Sequence, residues 1–245
     1  MIGGRVRGVD VSHHQPAEQC DWQRAAAAGV RWAGVKLSEG REDAKPYVDP
    51  DAAAHMAKVR EAGLIVQPYH FARVDRRKME FSDGARAGAS EAEWAALSVR
   101  RQGVMRDSMP LACDLERYRN PSDPSDAAPS KHWNDDFLRN FVKVYAEANG
   151  HLPDVYMGPK IFARRHNPEL AIELCELGVQ LWLARPEDDG DGVVEDDELE
   201  PSALITGWPW SIWQRSHTAE VPGLPGRVDL NIFRGTLAEL RARVL

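Results

Sequence analysis

Asp114 and Glu116 stand two residues apart in the stretch Pro110-Leu-Ala-Cys-Asp-Leu-Glu-Arg117. The apolar Leu111, Ala112, Cys113 and Leu115 predict a buried strand around them. Along a strand, residues i and i+2 share a face, so the two carboxylates point the same way. Two acids side by side near a core repel each other and resist desolvation. Such crowding pushes their proton affinities apart, leaving one protonated and the other ionised near neutral pH. That division suits an acid paired with a charged stabiliser, the arrangement that glycoside cleavage needs.

Other polar residues fall at the ends of comparable apolar runs. Eight such runs occupy 5–11, 32–37, 64–69, 110–116, 154–158, 179–184, 211–214 and 228–233. Asp10 ends the first, followed by Ser12 and the doubled His13 and His14; Lys36, Ser38 and Glu39 end the second. Tyr69 and His70 end the third, Tyr156 the fifth, Trp182 the sixth and Gln214 the seventh, while Asp229 and Asn231 lie in the eighth. Trp208 and Trp210, in Thr206-Gly-Trp-Pro-Trp-Ser211, are the tryptophans best placed for a cleft that receives sugar rings. His13, His14, His70, Asp10 and Asp114 leave a metal-dependent hydrolase as an alternative.

Helical patterns separate the earlier runs, at 21–29, 49–63, 90–103, 133–150 and 168–178. Asp21 is placed to cap the first and Gly29 to stop it. Strand alternating with helix implies right-handed crossovers and a parallel sheet. Helix-to-strand connections are short and strand-to-helix connections long, so the long loops gather at the carboxyl ends of the strands. The expected fold is α/β, a single irregular TIM-like barrel of eight strands and about five helices spanning 1–245.

A net charge of −7 argues against a nucleic-acid partner. No apolar run is long enough to span a membrane. The opening Met1-Ile-Gly-Gly-Arg-Val-Arg lacks an apolar segment, which predicts a chain without a signal peptide. Three cysteines without a C-x-x-C pattern predict neither a disulfide framework nor a zinc knuckle. The segment 187–198 fits a calcium-loop template at Glu187, Asp189, Asp191, Glu195 and Glu198, with a solvated acidic loop as the alternative. The basic stretch 73–81 is either a solvated loop or a contact to an anionic wall polymer.

Gly8-Val-Asp-Val-Ser-His-His-Gln15, Gly34-Val-Lys-Leu-Ser-Glu-Gly40, Tyr47-Val-Asp-Pro50, Ala112-Cys-Asp-Leu-Glu116, Ile212-Trp-Gln214 and Val228-Asp-Leu-Asn-Ile-Phe233 occur in one order along the chain. Together they resemble the family 25 glycoside hydrolases, the muramidase type of lysozyme. The resemblance implies a flattened eight-stranded barrel and hydrolysis of the β-1,4 bond between N-acetylmuramic acid and N-acetylglucosamine in bacterial peptidoglycan. It implies Glu116 as general acid, Asp114 as its partner carboxylate, and Asp10 and Asp229 as two further site acids. Lys36, Glu39, Tyr69, His70, Tyr156, Trp182, Trp210 and Gln214 are the expected substrate-binding residues, with no cofactor and a monomeric chain. The chain departs from the family pattern at Gly34, where a bulky apolar residue is usual, and at Arg215, where an aromatic one is. A bacteriophage lysin made in the host cytoplasm and acting on the wall is the expected setting. An inert wall-binding barrel and a metal-dependent deacetylase or amidase are the alternatives.

Overall fold

The computed structural model describes residues 5–41, 46–73, 83–104, 106–116, 130–186 and 200–245. The acidic segment containing Asp189, Asp191, Glu195 and Glu198 lies outside the described residues, as does the basic loop beyond Arg73.

All eight expected strands form. They are β1 (Val6–Val11), β2 (Trp32–Glu39), β4 (Ile65–Phe71), β5 (Ala112–Leu115), β6 (Asp154–Met157), β7 (Leu181–Ala184), β8 (Trp210–Ala219) and β9 (Val228–Phe233). A two-residue strand, β3 (Tyr47–Val48), pairs antiparallel onto the end of β2. Apart from β3, neighbouring strands from β1 through β8 run parallel, and β9 runs antiparallel between β8 and β1. Direct β1–β2 pairing closes the ring. Because β9 is reversed, its first residues lie at the same rim as the last residues of the other strands.

Among the described residues seven α-helices surround the barrel, two more than expected. They are α1 (Trp22–Ala27), α2 (Ala52–Glu61), α3 (Gly84–Arg101), α4 (Lys131–Asn149), α5 (Pro159–Arg165), α6 (Pro168–Leu177) and α7 (Leu237–Arg241). The short α5 and α7 bury only Phe162 and Leu240 respectively, too little to print a helical period. The start of α7 does carry a local signal, a reciprocal capping box between Thr236 and Glu239. Helix α3 begins well before the expected residue 90, and two glycines hide its first turns. A Cβ on Gly84 or Gly88 would lie 2.0 Å from the carbonyl oxygen of Trp133 or Phe137 on α4. The low helix propensity of glycine is overridden there by the close approach of the two helices.

The core has two parts. The larger fills the space between strands and helices, and a smaller one fills the barrel lumen with Val6, Trp32, Ala112, Trp182, Ile212 and Phe233. Trp32 and Trp182 meet edge to face at 5.5 Å. Two glycines admit these indoles. A Cβ on Gly8 would fall 2.0 Å from Trp32, and one on Gly34 would fall 2.6 Å from Trp182. The departure at Gly34 thus has a steric cause: Trp182 occupies the space a side chain there would need. At the far end, Arg243 pairs with buried Asp154 and donates to Ser211 Oγ at 3.0 Å, so the C-terminal segment plugs the barrel floor.

Candidate active site

Strand alternation and ring closure gather the acids at one rim. Asp10 on β1 stands directly opposite Asp229 on β9. Asp114 on β5 lies in register with Tyr156 on β6, and Glu116 follows the end of the same strand. A cavity of about 70 Å³ is lined by Asp10, Tyr69, Asp114, Glu116, Tyr156, Trp182, Gln214 and Asp229. It adjoins a wider arm of about 520 Å³ that shares Glu116, Tyr156, Gln214 and Asp229.

A hydrogen-bonded chain fixes Asp10. The Trp182 indole N–H donates to Asn231 Oδ1 at 2.8 Å, and Asn231 Nδ2 donates to Asp10 Oδ2 at 2.7 Å. Tyr156 O–H donates to Gln214 Oε1 at 3.0 Å, and Gln214 Nε2 reaches the same Asp10 oxygen at 3.5 Å. Both amides are thereby oriented with their donors towards the carboxylate. Burial raises the Asp10 carboxyl well above its ordinary range, and nearby Asp229 raises it further; the bonds from Asn231 and Gln214 oppose this.

Asp114 is almost fully buried, and its Oδ1 meets no hydrogen-bond donor among the described residues. Burial raises its carboxyl well above the usual range, with Glu116 and Asp10 adding to the rise and Lys36 opposing it. Glu116 is exposed to the cleft. The two acids, sharing a face, therefore sit in different surroundings: one desolvated, one wet. Burial beside these acids also holds the Tyr69 and Tyr156 hydroxyls well above their ordinary range, so both remain protonated donors.

Lys36 and Glu39 form an ion pair at 2.9 Å on the rim, and Arg73 joins Glu39 from the other side. Burial would raise Glu39, but these two cations hold it below its usual value. The Lys36 ammonium also lies 4.8 Å from the centre of the Phe71 ring. It is thus a held charge whose field reaches Asp114. His13 is absorbed locally: its Nδ1 lies 3.0 Å from Asp49 Oδ2 and 3.0 Å from Tyr47 O–H.

Two expected binding residues lie elsewhere. His70 follows inward-facing Tyr69 and so points outward, into the helical layer. It is fully buried, with Nε2 2.9 Å from Glu91 Oε2 on α3 and Nδ1 2.9 Å from Ser38 Oγ. It therefore cannot join Asp10 and Asp114 around a metal, and among the described residues no group of three or more His, Cys, Asp or Glu side chains converges to hold one. Trp210 is not in a cleft loop. It opens β8, in register with Leu181 at the start of β7, which puts it at the end of the barrel opposite the acids. There it is buried beneath Arg5 and Arg234. Trp208 is buried too, its indole donating to Val179 O at 2.8 Å. Conversely, Asn231 was not among the expected binding residues, yet it is the direct partner of Asp10. Its signal is its place two residues after Asp229, on the same face of β9.

A closed α/β barrel with four carboxylates gathered in one rim cavity forms a site suited to general acid–base chemistry. The sequence model of Glycosyl hydrolases family 25 matches residues 9–224, and the chain belongs to that family as a glycoside hydrolase. Among curated relatives, Lysozyme M1 of Streptomyces globisporus is 27% identical over 249 residues, covering 97% of this chain and 70% of that protein. The uncharacterised YegX of Escherichia coli K12 is 26% identical over 244 residues, covering 98% and 73%. The fold is shared with the lysozyme from Streptomyces coelicolor, at TM-score 0.73 and 24% identity over 100% of this chain and 98% of that one. It is shared likewise with a family GH25 lysozyme from Aspergillus fumigatus, at TM-score 0.75 and 23% identity over 98% and 99%.

Proposed function

We propose that the chain is a muramidase that hydrolyses the β-1,4 bond between N-acetylmuramic acid and N-acetylglucosamine in bacterial peptidoglycan. One observation carries the reading: four carboxylates, Asp10, Asp114, Glu116 and Asp229, line one cavity at the barrel rim, with Glu116 on the solvent side. Lysozyme M1, related over nearly the whole chain, supports the substrate class.

Glu116 donates its proton to the departing glycosidic oxygen. Asp114, desolvated and raised in proton affinity, orients the substrate's 2-acetamido group so that its carbonyl oxygen attacks the anomeric carbon. Asp114 lines the inner cavity into which that group would project. Glu116, now ionised, then removes a proton from the water that opens the cyclic intermediate. Asp10 and Asp229 line the same cavity, where an ionised carboxylate stabilises the developing oxocarbenium ion, and the Asn231 and Gln214 amides favour the ionised form of Asp10 against the burial that raises it. A positioned general acid contributes about 10²–10⁴-fold.

The test is release of new reducing ends from purified peptidoglycan by wild type and Glu116→Gln, with and without a chelator. Release by wild type, indifferent to chelator and reduced about 10²–10⁴-fold in the variant, is expected. No release by wild type would favour an inert wall-binding barrel. Chelator-sensitive activity without new reducing ends would favour a metal-dependent deacetylase or amidase.

A further inference from the structure

The 520 Å³ arm beyond Glu116 differs in charge from the inner cavity. The inner cavity is lined by acids, aromatics and one amide. The arm adds Lys160 from α5, Arg185 from the end of β7 and His217 from β8. The arm thus carries three basic side chains beside the Glu116 and Asp229 that it shares with the inner cavity, whereas the inner cavity has four acids and no basic residue in its lining. Arg185 is firmly placed. Its guanidinium donates to Ser202 Oγ at 2.7 Å and Pro186 O at 3.2 Å, and its carbonyl accepts the Trp213 indole N–H at 2.8 Å. Lys160 and His217 are exposed, so a ligand reaches them without displacing the core.

We propose that this arm binds a carboxylate-bearing substituent of the glycan, the lactyl group of the muramyl sugar or the peptide attached to it, and that Lys160 sets the preference for that charge. The inference rests on the muramidase reading and sharpens it. Sugar hydroxyls are served by amides and aromatic faces, such as Gln214, Tyr156 and Trp182 in the inner cavity. A lysine, an arginine and an imidazole around one space suit an anion instead. The arm's volume lies in the range that accommodates a ligand of sugar size with its substituent.

The experiment compares two glycan substrates: strands stripped of peptide, which carry free lactyl carboxylates, and the same strands with those carboxylates converted to methylamides. The readout is the ratio of kcat/KM on charged over neutral strands, for wild type, Lys160→Ala and Lys160→Glu, each checked for a wild-type melting profile. One partly exposed ion pair is worth on the order of fivefold. The expected wild-type ratio is therefore about two- to fivefold, falling towards unity in Lys160→Ala and below it in Lys160→Glu, with the change mainly in KM. A wild-type ratio near unity, or a ratio unmoved by both variants, overturns the assignment of the arm while leaving the muramidase reading intact. Absence of new reducing ends from both substrates with wild type overturns both.

Discussion

Replacing Asn231 with leucine removes the side chain that links Trp182 to Asp10. Asn231 is fully buried, and leucine is close to it in size, so the loss is one of hydrogen bonding rather than of volume. Leaving the Trp182 indole N–H unpaired costs about 1–3 kcal/mol. Losing the 2.7 Å bond to Asp10 costs about 1.5–3 kcal/mol when Asp10 is ionised. Allowing for relaxation, the sum is about 2–5 kcal/mol. At roughly 2–4 °C per kcal/mol for a chain of this length, the melting temperature falls by about 5–15 °C. The same bond opposes the rise that burial and Asp229 impose on Asp10. Without it the Asp10 carboxyl rises further. If catalysis needs Asp10 ionised, the acid limb of the kcat/KM profile moves to higher pH. Calorimetry and a pH–rate profile on peptidoglycan measure the two effects. A lowered melting temperature with an unshifted acid limb would refute the role given to Asp10's ionisation, and an unchanged melting temperature would refute the hydrogen-bond chain itself.

Asp114→Asn should stabilise the fold while lowering activity. Burial raises the folded carboxyl above its unfolded value of about 4, so ionisation disfavours the folded state. The penalty is absent below about pH 4 and grows as pH climbs through the folded value, so the variant's gain in melting temperature appears near pH 8 and vanishes near pH 3.5. A gain equal at both pH values would assign it to something other than the proton. Gly34→Ala should destabilise, because its methyl would lie 2.6 Å from Trp182 and 2.8 Å from the Asp10 Cβ. Overpacking of this kind costs about 1–3 kcal/mol, and near-ultraviolet circular dichroism should report a displaced Trp182 alongside a lower melting temperature. A wild-type melting curve and spectrum would show that the lumen has room to spare.

The strands were legible in the sequence because each is a short apolar run bounded by turn residues, and the long helices because their apolar residues recur at helical spacing. Local alternation also put Asp114 and Glu116 on one face, and Asp229 and Asn231 on one face. It separated Tyr69 from His70 without saying which of the two looks inward; that followed from α3 and α4 packing outside β4, where Glu91 and Ser38 receive His70. Nor did it say at which end of β8 the barrel opens, so Trp210 read as a cleft residue although its register with Leu181 places it at the floor. The meeting of Asp10 with Asn231, 221 residues apart, was decided by ring closure through a reversed last strand. Periodicity is a property of a few neighbouring residues, so it can orient side chains about a strand. Which strands become neighbours depends on burying all the apolar faces at once, and that is settled only when the whole barrel closes.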